Sequence, residues 1–298
     1  MSEAQLSYLV GDLRITRISE MSLQGGSPQE LFNRDFNAEQ FADYCDKSTE
    51  HDLQADGEHL RQSIHSWLVQ SPEYTLLIDA GSGNEKERPN APIFHHLNTD
   101  FLTRLASLGV SPESIDYVLL THLHVDHVGW NTQQVDGKWV PTFPNATYLF
   151  SAIEARYYAS TASHNEVNRT SLGVYEDSIL PLIKAGLVKL IGKEGGEVLN
   201  GVRFIPTPGH SIDHMSISIE SGGDVAFFAG DLMHHPLQVY NTEWNTRYCE
   251  FPAQASASRR WGLEFAADSG ALWFSTHFAG TSVGRVYRED EQFSWQYR

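Results

Sequence analysis

From Thr121 to His127 the chain reads Thr-His-Leu-His-Val-Asp-His, with three imidazoles and a carboxylate inside six residues. Neutral imidazole and carboxylate are the donors a borderline divalent cation such as zinc prefers, and an open metal site turns water into a nucleophile. The residues just before, 115–120, are mostly apolar, include β-branched side chains and follow a Ser111-Pro112 turn signal. They read as a buried strand that delivers the donors at its C-terminal end. A His-rich surface loop is the bland alternative. With 14 His in 298 residues, His-x-His-x-Asp-His arises by chance in roughly two chains per thousand, so the metal reading prevails.

The rest of the composition mostly excludes. The length suits one large domain or two small ones with a substantial core. A net charge of −17 and the lack of any basic cluster beyond the pair Arg259-Arg260 argue against nucleic acid, whose binding needs Lys and Arg to displace counterions. Cys45 and Cys249 allow at most one disulfide and supply no metal-ligand spacing, so they read as ordinary thiols. Residues 1–10 lack a basic region followed by an apolar core, and no stretch approaches the roughly 20 apolar residues of a membrane span. A cytoplasmic protein without a membrane partner is the expectation.

Along the chain, residues 13–18, 64–69 and 74–78 read as strands, the last running into Asp79-Ala80-Gly81-Ser82-Gly83. Residues 98–108 have helical spacing, with Asn98 or Thr99 as cap and Gly109 as stop. After the His-rich motif come a strand at 146–150, a helical stretch at 152–186, and strands at 188–191, 202–205, 215–219 and 225–229. A last helix at about 253–267 leads into an apolar run, 271–275. The order is that of an α/β fold read as one domain over 1–298, with 21–62 and 152–186 as insertions.

Three His alone fit either a closed or a catalytic site. The second half of the chain adds further donors. His210 in Thr207-Pro208-Gly209-His210, Asp231 in Gly230-Asp231 and His277 each stand just past the end of a predicted buried strand, where ligands gather in α/β sheets. His65, His95, His96 and His164 follow no such pattern and read as solvated or hydrogen-bonded; His214 and His235 lie near the candidates. Asp213 reads as a turn residue.

This ordered set, spread from about residue 64 to 285, resembles the metallo-β-lactamase-fold hydrolases. The resemblance implies an αβ/βα sandwich of two central β-sheets flanked by helices, carrying two divalent metal ions. By position, His122, His124 and His210 would hold one ion, and Asp126, His127 and His277 the second, with Asp231 as the bridge. Asp79 matches the carboxylate that orients a ligand imidazole from behind. The ions would share a hydroxide that attacks an electrophilic carbonyl or phosphoryl centre, and Asp126 is the candidate to carry a proton to the leaving oxygen. The donors suit zinc, manganese, iron and cobalt alike, with zinc the first choice.

Asp126 and the terminal His277 speak against a true β-lactamase, and His124 stands where flavodiiron proteins carry glutamate. Val128-Gly129-Trp130-Asn131 and the acidity of the chain depart from glyoxalase II-like thioesterases, which usually carry a basic C-terminal substrate region. The longer pattern, with Gly129-Trp130-Asn131, Pro141 to Ala146 and Gly230 to Pro236, is most similar to the branch of small-molecule lactonases and methyl-parathion-hydrolase-like esterases. A lactone or other small-molecule ester is therefore the expected substrate. A phosphotriester or thioester is the alternative, and an iron persulfide dioxygenase the non-hydrolytic one. Where acyl-homoserine lactonases place a tyrosine three residues past the bridge, this chain has His234, a second candidate catalytic group. Trp130, Phe278, Tyr157 and Tyr158 are candidate pocket walls. Residues 21–62 read as a lid, a contact between two copies in a homodimer, or a surface elaboration.

Overall fold

The computed structural model describes residues 6–298. Of the N-terminal stretch read for a leader, residues 1–5 lie outside the described residues. The chain forms two compact units, one of the chain up to Met21 with Ile64–Gly195, the other of Ser22–Ser63 with Gly196–Arg298.

The sheet that carries the first ligand motif has seven strands in the order Ser7–Val10, Leu13–Gln24, Arg61–Gln70, Thr75–Ile78, Tyr117–Leu119, Thr147–Ser151 and Val188–Ile191. Its last four strands are parallel neighbours. Parallel strands need crossovers, so their C-terminal ends open along one edge, where Asp79, the 120–127 loop and Ser151 emerge. Leu76, Leu77, Val118 and Leu119 are fully buried, as expected for strands covered on both faces.

The predicted helix at 98–108 is observed as Phe101–Ser107, and its N-cap Asp100 makes no side-chain cap bond. The expected cap, Thr99, is held elsewhere: its N–H donates to Asn84 Oδ1 at 2.7 Å. The stretch 152–186 is broken into the helix Ala152–Tyr158, two short 3₁₀ turns, a π-helical turn Tyr175–Ile179 and the helix Leu180–Ala185. Ser160 Oγ accepts from Ala162 N and Asn165 Oδ1 from Asn168 N, and short polar side chains that bond their own backbone interrupt helices in this way. A hairpin of Thr132–Val135 and Lys138–Pro141 turns on Asp136-Gly137, both with positive φ.

The second unit has its own seven-stranded sheet, ordered Gly196–Leu199, Val202–Pro206, Met215–Ser221, Asp224–Phe228, Leu272–Phe274, Val283–Glu289 and Gln292–Tyr297. Only Asp224–Phe228 and Leu272–Phe274 pair in parallel, and the helix Pro252–Ser269 lies in the crossover between them. It packs Leu263 and Ala266 into a cluster with Phe227, Trp273, Phe278 and Phe293. Full burial of a large apolar side chain contributes about 1.5–3 kcal/mol. Segment 22–63 contributes the helices Pro28–Phe32 and Ala38–Cys45. Ser27 and Glu30 form a capping box on the first, and Asn37 caps the second. Leu31, Phe32, Tyr44, Leu53 and Leu60 bury themselves against Leu237 and Trp244, so this segment is tied to the chain just after Asp231.

Candidate functional site

In the first unit the ligand loop is gripped from several sides. Asp79 adopts a left-handed conformation, φ 56°, uncommon for a residue other than glycine and tolerated by aspartate. That turn brings its carboxylate to Thr121 N at 2.8 Å, to Thr121 Oγ1 at 2.9 Å and to His127 Nδ1 at 2.9 Å. A carboxylate only accepts, so His127 carries its proton on Nδ1 and presents Nε2 as the lone-pair nitrogen. The Thr121 hydroxyl donates to Asp79 and receives His122 Nδ1 at 3.0 Å, which assigns the lone pair of His122 to Nε2. His124 has the opposite tautomer, since its Nε2 meets Asn168 Oδ1 at 3.3 Å. The same loop is held at its backbone by Glu154, which accepts from Leu123 N at 3.2 Å, and by Ser171, which accepts from Val125 N at 3.1 Å.

The imidazoles of His122 and His124 have centroids 4.5 Å apart, and those of His122 and His127 4.1 Å. Asp126 Oδ1 is 3.7 Å from His127 Nε2. Beyond His127 the backbone laces to the 79–83 turn: Ala80 N donates to His127 O, and Trp130 N to Ala80 O. The crossing is so close that a Cβ on Gly129 would lie 1.8 Å from Ser82 O, and one on Gly83 2.6 Å from the Gly129 carbonyl.

In the second unit the donors converge on one buried carboxylate. Asp231 Oδ2 is 3.0 Å from His210 Nε2 and 3.2 Å from His234 Nε2, while Oδ1 is 3.1 Å from His277 Nε2. His277 Nδ1 donates to the Ser63 carbonyl at 3.1 Å, so in the neutral ring Nε2 bears a lone pair. That lone pair faces a carboxylate lone pair at hydrogen-bond distance, which repels unless a cation lies between them. A second proton on His277 or a divalent metal ion meets that need, and this donor set fits a metal. Asp231 is steadied from its backbone, its N–H donating to His214 Nε2 at 3.0 Å. His214 is thereby occupied as a support, with Nδ1 on Thr207 Oγ1 at 2.9 Å.

His235 is likewise structural. Its Nε2 donates to the Asp52 carbonyl at 2.9 Å and its Nδ1 accepts from Leu237 N at 3.2 Å. Burial pushes its pKa down, which keeps the ring neutral. His234, by contrast, turns its ring to Asp231, stacked on His277 with centroids 5.1 Å apart and on Tyr248 at 6.1 Å. Its backbone is fixed by Gln238 Oε1 and Gln62 Nε2.

Of the aromatic candidates, Tyr158 sets its edge against His124, centroids 6.2 Å apart, and its hydroxyl donates to Asn168. Tyr157 lies edge-on to Tyr158 and accepts from Asn165. Trp130 is buried, stacked on Phe101 at 5.3 Å, and borders a polar cavity of about 700 Å³ with Asn84, Leu97, Leu102 and Gln133. Phe278, expected as a pocket wall, is instead wholly buried in the apolar cluster of the second unit, at 0% accessibility. Sequence reasoning passed over Glu154, Asn168, Ser171 and Ser63. Only Glu154 left a trace, as the fourth residue of Ser151-Ala152-Ile153-Glu154, and that pattern reads as a helix cap.

The chain matches the metallo-beta-lactamase superfamily over residues 61–277, from the start of the strand Arg61–Gln70 to the last ligand candidate. It belongs to that superfamily. An N-acyl homoserine lactonase of Bacillus cereus is 25% identical over 189 residues, which are 59% of this chain and 66% of that protein. The chain thus spans under two thirds of the length of that relative. Among solved structures, the hydrolase AbOPH of the beta-lactamase superfamily aligns over 100% of this chain and 98% of its own, with 28% identity and a TM-score of 0.82. AidC, a dizinc quorum-quenching lactonase solved with a homoserine product, aligns over 99% and 97% with 22% identity and a TM-score of 0.76, a likeness of fold. Two large sheets with flanking helices are the mixed α/β class that the sequence predicts. Among the described residues no helix is long and apolar enough to cross a membrane.

Proposed function

We propose that the protein is a dinuclear-metal hydrolase of small-molecule esters, with lactones its best substrates. The observation that carries this reading is the buried Asp231 carboxylate with imidazole nitrogens of His210, His234 and His277 between 3.0 and 3.2 Å from it. The superfamily resemblance assigns His122, His124 and His210 to one ion and Asp126, His127 and His277 to the other, with Asp231 shared. Zinc is the first choice, and manganese, iron or cobalt would suit the same donors. Bound there, two divalent cations supply a water of lowered pKa and a Lewis acid for the acyl oxygen.

The chain's own groups do the remaining work. Asp79, Thr121, Asn168 and Ser63 fix which nitrogen His127, His122, His124 and His277 present. Asp126 accepts a proton from the attacking water and returns it to the leaving alkoxide, so that ring opening ends in a carboxylate and an alcohol. His234 takes the place of the tyrosine found in acyl-homoserine lactonases and donates a hydrogen bond to the acyl or leaving oxygen. The lactonase relatives support a small-molecule lactone as the substrate class.

The test is a screen of zinc-loaded protein on lactones, linear carboxyl esters, phosphotriesters and thioesters, with oxygen uptake followed in parallel. Hydrolysis of lactones with the highest kcat/KM and no oxygen consumption is expected. Metal-loaded protein that consumes oxygen, or that hydrolyses none of the four classes, overturns the reading. Within it, His234→Ala should lower kcat on the best lactone by roughly ten- to a thousandfold with metal content unchanged; unaltered kinetics would remove His234 from the reaction.

A further inference from the structure

Glu20 is a buried carboxylate on the strand Leu13–Gln24, with 5% of its surface exposed. Its two oxygens are fully engaged. Oε2 accepts from Ser82 N at 2.6 Å, and Oε1 accepts from Gly83 N at 3.1 Å, from Trp130 Nε1 at 2.6 Å and from Thr99 Oγ1 at 3.3 Å. The Ser82, Gly83 and Trp130 donors belong to the two backbone stretches that lace together around the ligand loop. Ser82 and Gly83 close the turn that begins with Asp79, the carboxylate that fixes the tautomer of His127. Trp130 lies three residues past His127 and bonds back to Ala80. A carboxylate placed among N–H groups of both stretches ties one to the other, and hydrogen bonds to a charged acceptor are the stronger kind.

We infer that Glu20 is a positioning residue for the metal-ligand loop, holding the 79–83 turn and Trp130 in the register that presents Asp126 and His127 to a cation. The role rests on the metal-binding reading given above. Its chemistry depends on two acceptor oxygens. In Glu20→Gln one oxygen becomes an NH₂ group, and whichever way the amide turns, that donor faces Ser82 N–H or the N–H groups of Gly83 and Trp130. With the nitrogen toward Gly83 and Trp130 the Trp130 stretch is released; with it toward Ser82 the turn keeps only the Gly83 bond, now to a neutral acceptor.

The experiment measures zinc dissociation constants by competition with a chromophoric chelator, at a temperature well below the Tm of each metal-free variant. Glu20→Gln should raise the constant of at least one of the two ions about tenfold or more, the usual penalty for losing a partner behind the ligands. Thr99→Val removes the one hydroxyl donor outside both stretches and should leave both constants at the parental value. A residue that serves stability alone would lower Tm and leave the constants where they were, so folded Glu20→Gln protein with parental constants overturns the role. Should Glu20→Gln not fold, Trp130→Phe decides. It keeps a ring against Phe101, deletes one N–H, and should raise a constant threefold or more; parental constants again overturn the role. Parent protein that holds no zinc fails the metal-binding reading itself, which is a separate result.

Discussion

The two clusters of candidate ligands are built on opposite plans. In the first unit the donors are contiguous in sequence, and their geometry is imposed by surrounding partners: Asp79 on His127, Thr121 on His122, Asn168 on His124, with Glu154 and Ser171 on the backbone between. In the second unit the donors come from three separated strand ends and meet at Asp231. The first cluster is a flexible string made rigid from outside. The second is held by its own central carboxylate, to which the sheet delivers the imidazoles. Damage should accordingly be greatest at the ligand in the second unit and at the partners in the first.

The largest effect is expected from Asp231→Asn. An amide bridges two cations poorly and removes the negative charge that offsets their repulsion, so turnover should fall at least about a hundredfold while the fold persists. Elemental analysis of the dialysed parent should give two ions per chain. Near-parental turnover in Asp231→Asn with both ions bound would leave the second cluster without its centre and break the comparison. Next comes Asp79→Ala, which frees the His127 ring and both Thr121 donors; metal affinity read by chelator competition should drop about 10–100-fold. The sharper form sets this against His214→Ala, the backbone support in the second unit, for which a smaller drop is expected. Equal losses would show that partners matter alike in both clusters. Asn168→Ala follows with a loss of about tenfold or less, since the backbone of the loop keeps Glu154 and Ser171.

The smallest effect concerns stability. Both units bury cations, Arg259 in the second and Lys86 and Arg88 in the first. Arg259 in the second unit donates to the carbonyls of Leu232 and Thr242 and to Asn245. Lys86 in the first lies 2.6 Å from Thr132 Oγ1 and over the Trp139 ring at 3.6 Å. Burial, only partly offset by Asp177, brings the Lys86 pKa down from 10.5 to about 7. The unfolded chain therefore holds a proton that the folded chain has lost between about pH 7 and 10.5, and stability rises with pH across that window. Lys86→Met should flatten the rise in Tm, by about 2–4 °C for each kcal/mol involved. A parent whose Tm falls steadily from pH 7 to 9 while Lys86→Met falls in parallel would show that Lys86 has no part in it.

The candidate ligands stand out in the sequence because their chemistry is rare and their place is regular: His or Asp directly past a buried strand. Most strands were legible for the same reason that strand interiors are apolar, and the observed Val188–Ile191 coincides with its predicted bounds. Apart from Asp79, the supports were not legible. Asn168, Ser171 and Ser63 are ordinary polar residues whose roles arise from contacts 44, 46 and 214 positions away. His214 and His235 were visible as imidazoles, but only the hydrogen bond at each nitrogen distinguishes a support from a ligand. The hairpin at Asp136-Gly137 carried its own signal, since adjacent residues with positive φ favour that dipeptide.

The crossing of Gly83 and Gly129 has a consequence for how such a chain can change. Neither position has space for a methyl group, and the obstruction at each is the main chain of the other stretch. A side chain at either site thus cannot be accommodated by a compensating side-chain change nearby; the backbones themselves would have to part, and with them the turn that sets His127. Variation explored one residue at a time will be turned back at both glycines, whatever substrate is being selected for. Substitutions in the walls of the site leave this crossing untouched, whereas any side chain at Gly83 or Gly129 must part it.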